Sequence, residues 1–139
     1  LAFSDADISI QTREGRTLQE ILDTDGYLRL REIEESVLLE MPLDNRVVAT
    51  GGSVVYSPRI MQRLAAAGPV VYLRADLDTL RTRVAANPER GIASAAAHSF
   101  EDIYAERVPL YERYASCTID ATSGSTDAVA TLIVQELHA

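Results

Sequence analysis

Two carboxylates two residues apart, Asp5 and Asp7, end the apolar start of the chain in the sequence FSDAD. Ligands of α/β proteins bind at the carboxyl ends of strands, so a short strand here would present both acids at such an edge. Paired carboxylates can hold a magnesium ion and accept a hydrogen bond from a substrate hydroxyl. A solvated turn at the end of a strand is the commoner explanation of such a pair taken alone.

A pair of glycines, Gly51 and Gly52, lies in the sequence VVATGGS (47–53), directly after the most strand-like run of the chain. Glycines let the backbone come close to a ligand and direct its N–H groups at an anion or a hydroxyl. A tight turn between a strand and a helix accounts for them equally well.

Arginines supply the candidate anion-binding groups. Arg31 precedes Glu34 and Glu35 by three and four residues on a predicted helix, so local pairing on a solvated face is one interpretation. The alternative is that Glu34 orients Arg31, whose guanidinium group can then grip a carboxylate through two hydrogen bonds. Arg107 lies two residues before Pro109, where a kink could turn it inward; a surface arginine is the simpler interpretation of that position alone.

Two further arginines could reach a nucleotide. Arg83 could stack on a base, and Arg90 could neutralise charge on a transferring phosphoryl group. Arg90 lies in the stretch 87–99, which is rich in small residues and which we interpret as a lid loop; an ordinary exposed connection is equally compatible. Tyr56, Tyr104 and Tyr114 are interpreted as ordinary, partly buried aromatic residues.

The elements that must position these groups alternate between strand and helix. Apolar runs at 47–52, 70–73 and 117–120, with a weaker one at 1–5, predict short strands buried on both faces. Helical periodicity and cap residues predict helices at about 17–24, 27–41, 58–67, 77–87, 99–114 and 125–138. This alternation predicts one α/β domain over residues 1–139, with three α/β/α layers around a short parallel sheet.

Composition narrows the possible partners. The formal net charge is −8, which disfavours nucleic acid and anionic membranes as partners because both require a basic face. The sequence contains neither a long apolar segment nor a signal peptide, and Cys117 is the single cysteine, so we expect a cytoplasmic protein. A monomer is a separate expectation, which these features do not establish. All thirteen basic residues are arginine, so none can act as the lysine of a Walker A phosphate loop.

The order and spacing of five motifs resemble those of the shikimate kinases across nearly the whole chain. The family's patterns F-x-D-[ST]-D, G-E-x-x-F-R-x-x-E, strand-plus-GGG, R-P-L-L and R-x-P-L-Y-x-x-x-A are similar to FSDAD (3–7), GYLRLREIE (26–34), VVATGGS (47–53), ERGIA (89–93) and ERVPLYERYA (106–115). The resemblance implies a P-loop kinase fold of the nucleoside monophosphate kinase type. It also implies ATP-dependent phosphorylation of a shikimate hydroxyl, which gives shikimate 3-phosphate for aromatic amino acid biosynthesis.

The resemblance also implies roles for individual residues. Asp5 would help to hold Mg²⁺ through water, and Asp7 would bind substrate hydroxyls and assist deprotonation of the attacking one. Glu34 would hold Arg31 in place. The substrate carboxylate and ring hydroxyls would be bound by the remaining members of the set, which are Arg31, Gly51, Gly52 and Arg107.

On the nucleotide side, the resemblance implies that Arg90 lies over the ATP phosphates and Arg83 beside the adenine. Three positions depart from the family pattern: Tyr27 replaces a glutamate, Ser53 replaces the third glycine, and the lid reads RGIA. These departures keep two alternatives open, a kinase of another small hydroxy acid and a catalytically inactive ligand-binding domain.

The family's phosphate loop would precede residue 1, with its strand in the centre of the sheet between the runs at 47–52 and 70–73. We therefore expect that about 30 residues, comprising a strand, the G-x-x-x-x-G-K-[ST] loop and a helix, are absent from the displayed chain. Without a central strand, its two neighbours would leave backbone groups unpaired, at about 1–3 kcal/mol for each unsatisfied group.

Overall fold

The structure is a computed structural model that describes residues 1–86 and 99–138. The predicted lid loop at 87–99, including Arg90, lies outside the described residues except for Ser99. Four strands alternate with seven α-helices in the described part: β1 (Ala2–Asp5), α1 (Ala6–Glu14), α2 (Leu18–Asp25), α3 (Tyr27–Glu40), β2 (Arg46–Ala49), α4 (Pro58–Ala67), β3 (Val71–Arg74), α5 (Leu77–Ala85), α6 (Phe100–Tyr114), β4 (Cys117–Asp120) and α7 (Thr126–Leu137). A 3-10 helix, Gly52–Tyr56, links β2 to α4.

The helix starts follow the cap chemistry of the sequence. Thr17 and Ser99 each begin a helix with a capping box, in which the side chains of Glu20 and Asp102 bond back to the cap backbone. Ser57 caps α4 just before a proline at the first helical position. These reciprocal bonds satisfy the backbone donors that a helix start leaves unpaired.

One helix was not predicted. Asp5 ends β1 and at once caps α1, which closes at Gly15 in the left-handed conformation at φ 66°. Only Ala6 and Ile10 of this helix are buried, so its apolar periodicity is too weak to distinguish a helix from a turn. The cap residues Asp5 and Gly15 were the available signal.

The strands form two separate parallel pairs. In the first pair Phe3 of β1 lies beside Val47 of β2, and in the second Val71 of β3 lies beside Cys117 of β4. β2 and β3 are not paired with each other within the described residues. The predicted parallel arrangement is confirmed, and the chain runs β1, β2 and then β3, β4 through crossover helices.

The prediction that the strands are buried on both faces is wrong for this structure. Phe3 is 66% exposed, Val47 52% and Leu73 50%. A cavity of about 930 Å³, lined by residues of both β2 and β3, takes the place of a packed sheet centre. Each of these strands therefore keeps an open edge and an uncovered apolar face.

The buried core lies mainly among the helices. One cluster joins α1, α2 and α3 around Ile10, Ile21 and Ile33. A second joins α3 to the 3-10 helix and α4 around Leu38, Val54 and Ile60. Helix α3 contributes to both clusters, so it links α1 and α2 to the glycine segment and α4. None of the helices in the described ranges is long and apolar enough to cross a membrane.

Candidate functional site

The two acids of FSDAD have different surroundings. Asp5 Oδ1 accepts hydrogen bonds from the backbone N–H groups of Asp7 at 2.9 Å and Ile8 at 3.4 Å, as the cap of α1. Asp7 lies in the first turn of that helix, and its Oδ1 comes within 3.3 Å of the position that a Cβ on Gly51 would occupy. The pair therefore begins a helix, and Asp7 faces the glycines that follow β2.

Each glycine of the pair allows a close approach, which a side chain would crowd at Gly51 and block at Gly52. At Gly51, Glu34 Oε2 lies 3.3 Å from the Cβ position, the same distance as Asp7 Oδ1. At Gly52, a Cβ would overlap the Tyr111 hydroxyl and would lie 3.0 Å from Arg107 Nη1. Neither glycine has a positive φ, so the reason for glycine here is space rather than backbone conformation.

Arg107 is buried, at 8% exposure, and is the buried residue of α6. Interpreting it as a surface arginine is therefore wrong. Its Nε donates to the Tyr56 hydroxyl at 3.4 Å, and the helix continues through Pro109 as one element. Helix α6 thus directs a guanidinium group at the backbone of the glycine segment.

Arg31 lies on α3 with its guanidinium carbon 3.9 Å from the centre of the Tyr56 ring and 5.1 Å from that of Tyr27. The interpretation of this helix face as solvated is wrong, because Glu34 is only 5% exposed. Glu35 instead accepts hydrogen bonds from Ser57 and from Arg59.

Glu34 is a buried carboxyl in the middle of these groups. Its Oε1 accepts a 2.6 Å hydrogen bond from the Ser53 hydroxyl, which is itself buried. Burial raises the pKa of Glu34 to about 7; the charge of Asp7 adds to the rise, while the Ser53 hydrogen bond, Arg107 and Arg31 oppose it. Glu34 is therefore close to half ionised at neutral pH.

The raised pKa predicts how stability depends on pH. The carboxyl of the unfolded chain ionises near the ordinary glutamate pKa of 4.5, whereas the folded one holds its proton up to about pH 7. Unfolding between these values releases a proton, so the stabilising contribution is complete below pH 4.5 and is lost as pH rises through 7. Between pH 5.5 and 8.5 the wild-type protein should lose about 2 kcal/mol more unfolding free energy than Glu34→Gln.

Urea unfolding across that pH range measures this difference, with exposed Glu32→Gln on the same helix as the matched control. The control should track the wild type. Parallel pH profiles for wild type and Glu34→Gln would contradict the assignment of a buried, late-titrating carboxyl.

Two residues were predicted to contact the nucleotide, Arg83 and Arg90. Arg83, on α5, donates to the backbone carbonyl of Ala121 at 2.7 Å, just after the end of β4. Its predicted role beside an adenine stays a prediction, as does the role of Arg90, which lies outside the described residues.

A magnesium site made entirely of side chains is absent from the described ranges, where no group of three or more His, Cys, Asp or Glu residues could hold an ion. Asp5 still fits a weaker role, because Mg²⁺ in phosphoryl-transfer sites keeps several waters and needs only one or two carboxylates besides the phosphates. The helix cap occupies Asp5 Oδ1 and fixes the carboxylate at the strand end.

Four of the predicted site residues, Asp7, Gly51, Gly52 and Arg107, line the same cavity. Arg31 joins them through Tyr56, whose ring it stacks on and whose hydroxyl accepts from Arg107. Sequence reasoning did not assign Tyr111, Tyr56 or Ser53 to this site. Tyr111 lies in the motif ERVPLYERYA four residues after Arg107, on the same helix face, and this spacing was the signal that could have identified it.

Known proteins share both the sequence pattern and the fold. The family model for shikimate kinase matches residues 1–138. The shikimate kinase of Mycobacterium avium is 34% identical, and the alignment covers 100% of this chain and 80% of that protein. The shikimate kinase of Vibrio vulnificus is 32% identical, and the alignment covers 99% of this chain and 82% of that protein.

Among solved structures, a shikimate kinase from Acinetobacter baumannii in complex with shikimate has a TM-score of 0.87 at 27% identity, covering 98% of this chain and 78% of that one. The shikimate kinase of Aquifex aeolicus, at 21% identity and a TM-score of 0.75 over 98% and 81% of the two chains, supports the fold alone. The predicted P-loop kinase fold is therefore confirmed. The chain belongs to the shikimate kinase family.

Proposed function

We propose that the protein transfers the γ-phosphoryl group of ATP to a hydroxyl group of shikimate. The observation that carries the proposal is the convergence of opposite charges on two adjacent glycines. Asp7 Oδ1 lies against Gly51, and Arg107 Nη1 lies against Gly52, at 3.3 and 3.0 Å from the respective Cβ positions. A small molecule with a hydroxyl at one end and a carboxylate at the other matches that pair of groups.

The carboxylate would be bound by arginine. Arg31 and Arg107 approach the same tyrosine from α3 and α6, and a guanidinium group can form two parallel hydrogen bonds to a carboxylate. A net charge of −8 does not oppose this, because distant surface charges are screened over about 8 Å at physiological salt. Local geometry therefore decides which anion binds.

Asp7 would act on the hydroxyl. Its carboxylate accepts a hydrogen bond from the attacking O–H, whose oxygen forms a bond to the γ-phosphorus while the bond from that phosphorus to the bridging oxygen of ADP breaks. The hydroxyl proton passes to Asp7 as the new bond forms. Because the transition state is loose, the main work of the chain is to hold the hydroxyl in line with the leaving oxygen.

Asp5 is the residue of the described chain that would hold Mg²⁺, through water, at the carboxyl end of β1. When bound, the ion supplies neutralisation of charge on the ATP phosphates. We also propose that Arg83 lies beside the adenine and that Arg90 covers the phosphates.

The phosphate loop is proposed to enter through the gap between β2 and β3. Both strands line the 930 Å³ cavity, and a parallel strand placed there would join the two pairs into one sheet. The same cavity reaches Asp7 and Arg107, so a loop at the end of that strand would meet the site.

A coupled ADP-release assay tests the function on the intact protein expressed from its full natural reading frame. With ATP, Mg²⁺ and shikimate we expect turnover, with the phosphoryl group found on a shikimate hydroxyl by ³¹P NMR. Other hydroxy acids and nucleosides serve as competing acceptors. Shikimate binding without ADP release, or turnover only with another acceptor, would overturn the proposal.

Gly52 offers a steric test of the site. In Gly52→Ala the new Cβ collides with the Tyr111 hydroxyl and crowds Arg107, so we expect kcat/KM for shikimate to fall about 30-fold if the arginine shifts by even 1 Å. Gly68→Ala, with nothing within 4 Å of the new methyl group, is the matched control. Adding Tyr111→Phe removes the colliding atom and should restore part of the loss. Unchanged kinetics in Gly52→Ala would remove this contact from the site.

A further inference from the structure

Tyr56 lies at the end of the 3-10 helix, between the two arginines that would bind the substrate carboxylate. The face of its ring lies 3.9 Å from the guanidinium carbon of Arg31, and the guanidinium carbon of Arg107 lies 5.4 Å from the ring centre. Its hydroxyl accepts a 3.4 Å hydrogen bond from Arg107 Nε. One side chain therefore contacts both cationic groups, through two different parts of its structure.

These contacts address a physical difficulty in a two-arginine clamp. Arg31 and Arg107 come from different helices and carry the same charge, so their mutual repulsion opposes placing both beside one ligand. The ring face is the negative side of the aromatic quadrupole, so it attracts a guanidinium group placed over it. The hydroxyl oxygen gives the second arginine a fixed acceptor.

The surroundings hold the tyrosine in place. Burial raises the pKa of Tyr56, and the carboxylate of Glu106 beside its hydroxyl raises it further, so the O–H group stays protonated and directed at Glu106. The lone pairs are then left for Arg107. Tyr27 flanks the other arginine, with its ring centre 5.1 Å from the Arg31 guanidinium carbon.

We propose that Tyr56 is a positioning residue that holds Arg31 and Arg107 as one preformed clamp for the substrate carboxylate. The inference rests on the proposed function and deepens it, since it names what orders the anion-binding half of that site. Two long side chains held in advance lose less conformational freedom when the acid binds. Tyr56 therefore acts on acceptor affinity through the arginines and takes no part in moving the proton or the phosphoryl group.

Steady-state kinetics of the intact protein test the proposal with Tyr56→Phe and Tyr56→Leu. Loss of the hydroxyl alone should raise KM for shikimate about 3-fold, and loss of the ring as well about 10-fold to 30-fold. We expect kcat to stay within about 3-fold and KM for ATP to stay unchanged, because ground state and transition state lose the same binding. Tyr114→Phe, whose ring also lies beside an arginine, is the matched control.

The preference for shikimate over its carboxamide, measured as a ratio of kcat/KM values, distinguishes a positioning role from a purely structural one. A structural role would leave this ratio unchanged. The wild-type protein should prefer the acid strongly, and Tyr56→Leu should reduce that preference by about the same 10-fold to 30-fold factor. If the wild-type protein turns over shikimate and Tyr56→Leu keeps the same preference for the acid, the inference is overturned and the proposed function stands. A kcat loss at constant KM has the same consequence. Absence of both turnover and shikimate binding in the wild type overturns the proposed function and the inference together.

Discussion

Replacing Asp7 by Asn should lower kcat for shikimate phosphorylation by about 10²–10⁴, the range over which a positioned general base contributes to proton transfer. Asparagine keeps the size of the side chain and its oxygen at the Gly51 backbone, but it cannot take up the hydroxyl proton. KM for shikimate should change far less, because the amide oxygen still accepts a hydrogen bond from the hydroxyl.

Asp127→Asn is the matched control for that change. Asp127 also lies in the first turn of a helix, but on α7. Single-turnover kinetics with the intact protein separate the chemical step from product release. A kcat for Asp7→Asn within about 3-fold of the wild type would show that the proton leaves by another route and would remove Asp7 from its catalytic role.

The second large effect concerns Arg107. Arg107→Lys keeps the positive charge but loses the planar fork and the Nε contact with Tyr56, so we expect kcat/KM for shikimate to fall at least about 100-fold. KM for ATP should stay within about 2-fold, since this guanidinium group faces the glycine segment that follows β2.

The control for Arg107 lies on the same helix. Arg113 is exposed and contacts the neighbouring Tyr114 ring, so Arg113→Lys should have wild-type kinetics. Arg107 is buried, so replacing it can leave neighbouring polar groups without a hydrogen-bond partner and lower the stability of the fold. Thermal melts of both variants separate such a loss of stability from the loss of substrate binding. Normal affinity for shikimate in a folded Arg107→Lys protein would contradict the two-arginine clamp.

Much of the local structure could be predicted from the sequence because its signals are short-range. Thr17 and Ser99 each precede an acid by three residues, and both form the reciprocal cap that this spacing predicts. Three of the four apolar runs became strands within one residue of the expected bounds, and the run at 47–52 became β2, which ends three residues earlier than expected. Helix α1 was missed because two buried residues do not make a periodic stripe.

The burial of the strands could not be predicted from these runs alone. A continuous apolar run indicates two covered faces, but Val47 and Leu73 are half exposed because β2 and β3 do not meet. Whether an apolar strand is covered depends on what lies beside it in space. The apolar run itself does not indicate whether another strand or helix packs beside it.

For the site, the motif positions Asp7, Gly51, Gly52 and Arg107 line one cavity, while the contacts that organise them were not predictable. Tyr56 was interpreted as an ordinary aromatic residue, because its contacts with Arg31 and Arg107 join elements far apart in the chain. Ser53 departs from the family's third glycine, and only the structure shows that its hydroxyl bonds the buried Glu34. Such long-range pairs leave no local periodicity or spacing to read.

A crystal structure of the intact protein with shikimate bound tests the central claim most directly. We expect the carboxylate within hydrogen-bond distance of Arg31 and Arg107, and a ring hydroxyl within about 2.6–3.2 Å of an Asp7 oxygen, over Gly51 and Gly52. Shikimate bound on another surface, or with its carboxylate away from both guanidinium groups, would contradict the account.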